Sequence, residues 1–317
     1  MTTVPIEEYD FDLRTQKRRD PDKVDTELKR RWLHLNYANL TNVEQLQDFP
    51  LDSVIADALL SEETRPRAQL LENGILLSLR GINLAKNSKP EDMVSVRVFI
   101  TKDSVLSTGR RKLVALDNIA IALDSNAGPN EPSAWLCTLI ANLTDNMAGT
   151  VHFIEDTLSG FEDLAIENKE TAFQSELANL RRQIIAIRRY LGPQRDALLT
   201  LLSDKNKFID AEHKIEIRES LNHLQLYIEE LDLCKERANV LQEEINVNLG
   251  QTMNNRMYVL SIVAAIFLPL GFLTGLLGIN VGGMPGAENS SAFYLVCLFL
   301  LIIALLLTII LKKSRWL

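Results

Sequence analysis

The sequence predicts an α+β fold class: a cytoplasmic α/β/α domain, then a very long stalk helix that continues into the first of two C-terminal transmembrane helices. Three observations predict it. Strand-like and helix-like stretches alternate over the first 130 or so residues. From about residue 210 an apolar seam repeats at steps of three and four, with no proline before Pro269. Two runs without any charged side chain, 257–286 and 292–311, lie near the end. The expected divisions are 1–205 for the domain with a helical hairpin, 206–256 for the stalk and 257–317 for the membrane part.

The elements follow in order. Residues 1–26 are polar and expected to be loose. "RRWLHLNY" alternates like a strand, with Leu33, Leu35 and Tyr37 on one face and Trp32, His34 and Asn36 on the other. "DFPLDSVIADALL" predicts a short helix with Pro50 near its start. "NGILLSLRGINLA" and "MVSVRVFITKDSVLSTG" predict strands, and "RRKLVALDNIAIALDS" a helix. From Pro132 the period becomes helical, and Gly192-Pro193 is expected to interrupt "FQSELANLRRQIIAIRRYLGPQRD". "SDKNKFID" predicts a turn. After it, Ile217, Leu221, Leu224, Ile228, Leu231, Ala238, Leu241 and Ile245 keep a coiled-coil-like spacing. One helix over 210–277 would be about 100 Å long at roughly 1.5 Å per residue, and needs partners to be stable.

The chain has 317 residues, 46% hydrophobic and 24% charged, as expected of a soluble part with an apolar attachment. The N-terminus lacks the apolar core of a signal peptide. Cys137, Cys234 and Cys297 are far apart and odd in number, which predicts reduced thiols. After Arg256 the only charges are Glu288, Lys312, Lys313 and Arg315, so residues 1–256 carry 41 acidic and 31 basic residues. That excess either keeps the domain soluble or concentrates cations beside a pathway. Bases after the second run predict a cytoplasmic C-terminus, an outside loop at 281–291 and a cytoplasmic N-terminal domain.

Two spans cannot enclose a pore, so conduction needs several copies around one axis. Asn254, Met257, Ser261, Ala264, Leu268, Gly271 and Gly275 share a small, weakly polar helical face suited to it. Gly271 and Gly275 form GxxxG, which also serves close helix packing. Gly278-Ile279-Asn280 ends this helix. As a helix cap, Gly and Asn would adopt the left-handed conformation; as a pore mouth, they would present neutral carbonyl oxygens to hydrated ions.

An α/β domain, a long helix, two C-terminal spans, a GxN triplet and a basic tail together resemble the CorA superfamily of divalent-cation transporters. The resemblance covers essentially the whole chain, although most of the family has Met where Ile279 stands. "WLHLNY", "ETRPR", "STGRRKLVALDN", "RRYLGPQRD" and "GINVGGMPG" resemble its bacterial zinc-transporting branch. The resemblance implies a funnel-shaped homopentamer in the bacterial inner membrane, with Gly278, Ile279 and Asn280 at the outer ion entrance. It implies pore-lining Asn254, Met257, Leu260, Ser261, Ala264, Leu268 and Gly271. It also implies proton-assisted Zn2+ import, with Co2+, Ni2+ or Cd2+ as further cargo. The expected partners are other copies, the bilayer, divalent cations and protons, with no nucleic acid and no resident cofactor.

Lys312, Lys313 and Arg315 either form a cytoplasmic basic collar or only fix topology. His152 with Glu155 and Asp156, and Glu219 with His223, have helical spacings that could grip a metal or simply form solvated faces. The spans hold no Asp, Glu or His, so any proton coupling falls to Glu288 in the loop or to carboxylates of the domain. No phosphate-binding loop or nucleophile–base pair is legible, so an enzyme is not expected. Two alternatives remain: a Mg2+/Co2+ channel driven by membrane potential, and a membrane-anchored coiled-coil adaptor or sensor without transport.

Overall fold

A computed structural model describes residues 8–19, 30–38, 51–62, 65–85, 88–167, 173–279 and 291–313. The chain forms two compact units, 1–242 and 243–317.

The first unit contains a seven-stranded mixed sheet: β1 (Tyr9–Asp12), β2 (Lys17–Arg18), β3 (Arg31–Asn36), β4 (Arg67–Leu70), β5 (Ile75–Gly81), β6 (Val94–Ile100) and β7 (Ser104–Gly109). Their order is β2-β1-β3-β7-β6-β5-β4. Only β3 and β7 pair in parallel, in the register Leu33↔Leu106 and His34↔Ser107. The β1–β2 turn is held by Asp12, whose carboxylate accepts from the backbone N–H groups of Arg14 and Thr15, both at 2.9 Å.

The expected alternation in "RRWLHLNY" is present, but neither face is solvated: Trp32, Leu33, His34 and Leu35 are all buried. The sheet is a middle layer, and helices cover both sides. On one side, Leu33, Leu35, Leu76, Phe99 and Leu106 pack with Ile55 and Leu59 of α1 (Ser53–Leu60). Asp52 caps that helix through a 3.0 Å bond from Val54 N. On the other side, Trp32 stacks on Phe11 and meets Trp135 at a centroid distance of 5.3 Å. His34 is held there by Ser107 Oγ at 2.9 Å, and Trp32 Nε1 donates to the same oxygen at 3.0 Å. Burial pushes the His34 imidazole down to about 4, so it is neutral in the fold.

Three helices precede the long helix in this unit: α2 (Val114–Asp124), α3 (Pro132–Ile166) and α4 (Gln174–Leu201). Pro132 occupies the first turn of α3, where a missing N–H costs nothing. Pro193 does not interrupt α4 as expected; the helix runs through it. An interior proline costs about 3 kcal/mol. Here the loss is outweighed by tertiary contacts: Leu191, Gln194, Ala197 and Leu198 are buried, and Gln194 Oε1 accepts from Arg80 N of β5 at 2.8 Å. The turn at "SDKNKFID" is present, and Asn206, itself buried, donates to Leu201 O at 2.8 Å.

The long helix is α5 (Ala211–Leu277), 67 residues. Within the first unit its seam residues Ile217, Leu221, Leu224, Ile228, Leu231, Ala238 and Leu241 are buried. The skipped turn in the seam is filled by Cys234, also buried. Three ion pairs or polar links bind this stretch to its neighbours: Arg237 to Glu162, Arg188 to Asp232, and Arg181 to Asn239. In the second unit, α5 ends at Leu277 and α6 (Ala292–Lys313) follows. Both helices are long and apolar enough to cross a membrane.

Candidate functional site

The candidate ion passage is the stretch of α5 that lies in the second unit. Asn254, Met257, Leu260, Ser261, Ala264, Leu268 and Gly271 are all exposed in the single chain. At roughly 100° per residue they fall within about 120° of the helix circumference, with Gly275 among them. The opposite face, including Ile262, Ile266, Leu270 and Leu273, is partly covered. The stripe is therefore uncharged, of mixed small and apolar character, and exposed among the described residues.

Gly271 and Gly275 sharpen this point. A Cβ added at either would meet nothing within 4 Å. The small residues thus serve no close contact among the described residues. Two hydroxyls along the helix are satisfied locally. Ser261 Oγ donates to Met257 O at 2.8 Å, and Thr274 Oγ lies 3.0 Å from the carbonyls of both Leu270 and Gly271. That removes the cost of bare hydroxyls in hydrocarbon while leaving them able to face water. α5 continues through Pro269.

At the end of the helix, Gly278 N donates to Thr274 O at 2.9 Å and to Gly275 O at 3.2 Å. Gly278 does not adopt the left-handed conformation, so the cap described from sequence is not its reason for being glycine. A Cβ there would lie 3.1 Å from Thr274 O, so the constraint is space beside a carbonyl. Ile279 is exposed. Asn280, Glu288 and Arg315 lie outside the described residues. Lys312 and Lys313 are exposed in the last turn of α6, where cations complement the helix dipole.

The other metal candidates are surface pairs. His152 Nε2 is 3.5 Å from Asp156 on α3, and His223 Nε2 is 3.5 Å from Glu219 on α5. Both are i,i+4 neighbours, and all four side chains are more than half exposed. Glu155 is half-buried on the same helix as His152. Among the described residues, the one convergence of three such groups is elsewhere: Glu131, Asp210 and His213. Asp210 and His213 are three residues apart, but Glu131 stands at the start of another helix. No local spacing could reveal that meeting.

The comparisons with known proteins agree with this architecture. A family model described as CorA-like Mg2+ transporter protein matches residues 28–313. The zinc transport protein ZntB of Yersinia enterocolitica is 35% identical over 298 residues, covering 94% of this chain and 91% of that protein. ZntB of Pectobacterium carotovorum is 37% identical over 300 residues, with the same coverage. Among solved structures, the full-length CmaX protein is similar with a TM-score of 0.83 and 36% identity, over 98% of both chains. The complete CorA magnesium transporter of Methanocaldococcus jannaschii shares the fold with a TM-score of 0.79 at 17% identity, over 95% of both chains. A family match over most of the chain, on a fold with a sheet domain, one long helix and two apolar C-terminal helices, means that this chain belongs to the CorA-like family of metal-ion transporters.

Proposed function

We propose that the chain assembles as a homopentamer in a bacterial inner membrane and transports divalent metal cations, Zn2+ first among them. The observation that carries the reading is the uncharged, unpartnered face of α5 from Asn254 to Gly275, directly before the GxN triplet. Alone, such a stripe would face lipid with its hydroxyl and amide. Around an axis it becomes the wall of a wet passage.

The chemistry of the wall defines what it can do. It offers no thiolate, imidazole or carboxylate, the usual ligands that hold Zn2+ tightly. Neutral oxygens from Asn254, Ser261 and Asn280 would hydrogen-bond to a cation's hydration water rather than strip it. Weak holding favours release, at the expense of discrimination among Zn2+, Co2+, Ni2+ and Cd2+. Leu268 would be an apolar constriction that gates by dewetting. The spans supply no proton-relay group, so coupling to protons is assigned to Glu288 or to the acidic domain.

Association of copies has its own support in the first unit. Leu226, Leu233 and Val240 are exposed at seven-residue intervals on α5, at 48%, 58% and 68%. This row is separate from the buried seam, and an apolar heptad row in water seeks a like surface. The exposed Glu229 and Glu236 lie beside it and would give an assembled stalk a negative lining that draws cations.

The test is metal flux into liposomes holding the purified protein, across an imposed pH gradient, with Zn2+, Co2+, Ni2+ and Mg2+ compared. The expected result is Zn2+ flux that falls strongly in Asn280→Ala. Flux of Mg2+ alone, following membrane potential and not pH, would move the reading to the channel alternative. No flux of any ion would support the adaptor.

A further inference from the structure

Within the first unit, the starts of α3 and α5 bring three metal-ligating groups together. His213 is the hub. Its side chain is only 12% exposed, and each ring nitrogen faces a carboxylate. Nδ1 lies 2.7 Å from Asp210 Oδ1, and Nε2 lies 3.7 Å from Glu131 Oε1. Ligand atoms of all three residues lie within 4.8 Å of one another.

The two contacts differ in kind. The 2.7 Å contact is a full hydrogen bond, and Asp210 also caps α5 by accepting from His213 N at 3.1 Å. Asp210, an acceptor when ionised, takes the Nδ1–H bond and fixes the ring, so that Nε2 is the nitrogen turned to Glu131. The 3.7 Å contact is too long for a hydrogen bond. It is close to the separation of two ligands on one tetrahedral Zn2+, roughly 3.3 Å for metal–ligand bonds of about 2.05 Å. A carboxylate behind the imidazole and an open nitrogen in front is the arrangement by which proteins orient metal-binding histidines.

Two further observations point to a cation. Glu131 occupies the cap position of α3, yet its side chain makes no capping bond. Its carboxylate turns instead to Ser133 Oγ, at 3.1 Å, and towards His213. Secondly, the carboxylates gathered here are not taken up by ion pairs to bases, although Arg14, Arg30 and Lys102 lie along the neighbouring cleft. Among the described residues no Lys or Arg ion-pairs with Glu131, Asp210 or the nearby Glu216. Cys137 Sγ is 3.5 Å from His213 O. A cleft of about 300 Å3, lined in part by Glu131, Asn130 and Asp103, opens beside Glu131; neither His213 nor Asp210 lines it. Arg14, Arg30 and Lys102 also line it but make no ion pair with Glu131.

We propose that His213 Nε2 and the Glu131 carboxylate bind a divalent cation of borderline softness, such as Zn2+ or Co2+, with Asp210 as the positioning residue on Nδ1. The bound ion ties the first turn of α3 to the first turn of α5 and neutralises the carboxylate cluster. The site shares with the transport reading only the class of ion.

Co2+ titration of the full-length protein in detergent tests it. Four-coordinate Co2+ on nitrogen and carboxylate absorbs far more strongly in the visible than hydrated six-coordinate ion in a passage. Wild type should develop the four-coordinate band at one equivalent per chain. Glu131→Gln and His213→Ala should weaken binding at least about tenfold, and Asp210→Asn by about tenfold through loss of the ring's orientation. Glu131→Gln removes no cap or core contact, so an unchanged melt without metal shows that the loss is local. If His213→Ala fails to fold, Glu131→Gln decides. Absence of the band in wild type, or a Glu131→Gln protein that binds as wild type, overturns the inference. Liposome flux separates the two readings: the band without flux keeps this site and removes transport, and flux without the band does the reverse.

Discussion

Arg237 of α5 closes a fork on Glu162 of α3: Nη2 to Oε2 is 2.6 Å and Nε to Oε1 is 3.0 Å, while Nη2 also donates to Ser159 Oγ at 3.0 Å. A bidentate guanidinium–carboxylate pair is directional in a way that one amine cannot copy. The pair lies 75 residues apart in sequence and holds the long helix to the hairpin in the first unit.

Breaking that fork should cost stability without touching the sheet. The two side chains are 28% and 35% exposed, so solvent screens part of the attraction. Arg237→Ala should lower stability by about 1 kcal/mol, and Arg237→Lys should recover less than half of it. Thermal melting of the purified protein, followed by circular dichroism, measures both; equal melting of the Ala variant and wild type would remove the fork from the account.

His34 sets an acid limit. Its folded value of about 4 lies below its ordinary 6.5, so the unfolded chain binds the extra proton first as pH falls. The neutral ring's contribution is whole above about pH 6.5 and declines between 6.5 and 4, by about 3 kcal/mol in total. His34→Gln keeps a polar partner for Ser107 and should flatten that decline. Melting temperatures from pH 7 to pH 4 test this; a variant with the wild-type acid slope would place the loss on other groups.

Leu268 is the bulkiest apolar member of the proposed pore-lining set after Leu260 and is 73% exposed in the single chain. If it gates by drying, Leu268→Ser should raise resting ion flux severalfold, with the same oligomer on size exclusion. A variant with unaltered flux would assign the gate elsewhere.

Glu288→Gln should blunt the response of uptake to an imposed pH gradient while leaving melting unchanged, because it removes the only carboxylate between the spans. An unaltered pH response would shift coupling to the acidic domain. Gly278→Ala offers a milder probe of the proposed mouth. Its Cβ would press on Thr274 O at 3.1 Å, so flux should fall less than in Asn280→Ala.

What could be read from sequence was local. The steps of three and four that mark α5 involve residues within one turn of each other, and a helix of 67 residues followed from them almost to the residue. The two apolar helices were legible for the same reason: absence of charge over about 20 residues is a property of a continuous stretch. The strand pattern in "RRWLHLNY" was legible too, but not the burial of both its faces. That depends on which helices cover the sheet.

Proline shows the limit most directly. Pro193 carries a local signal to break a helix, and α4 ignores it because buried contacts of Leu191, Gln194 and Leu198 outweigh one missing hydrogen bond. Sequence alone determined the long helix, the two apolar segments and the uncharged face before the GxN triplet, since each is a periodicity of neighbouring side chains. Tertiary structure alone decided that His213 meets Glu131, that Arg237 meets Glu162 and that His34 is buried neutral. Partners 75 or more residues apart are chosen by how whole elements pack, and no spacing along the chain encodes that choice.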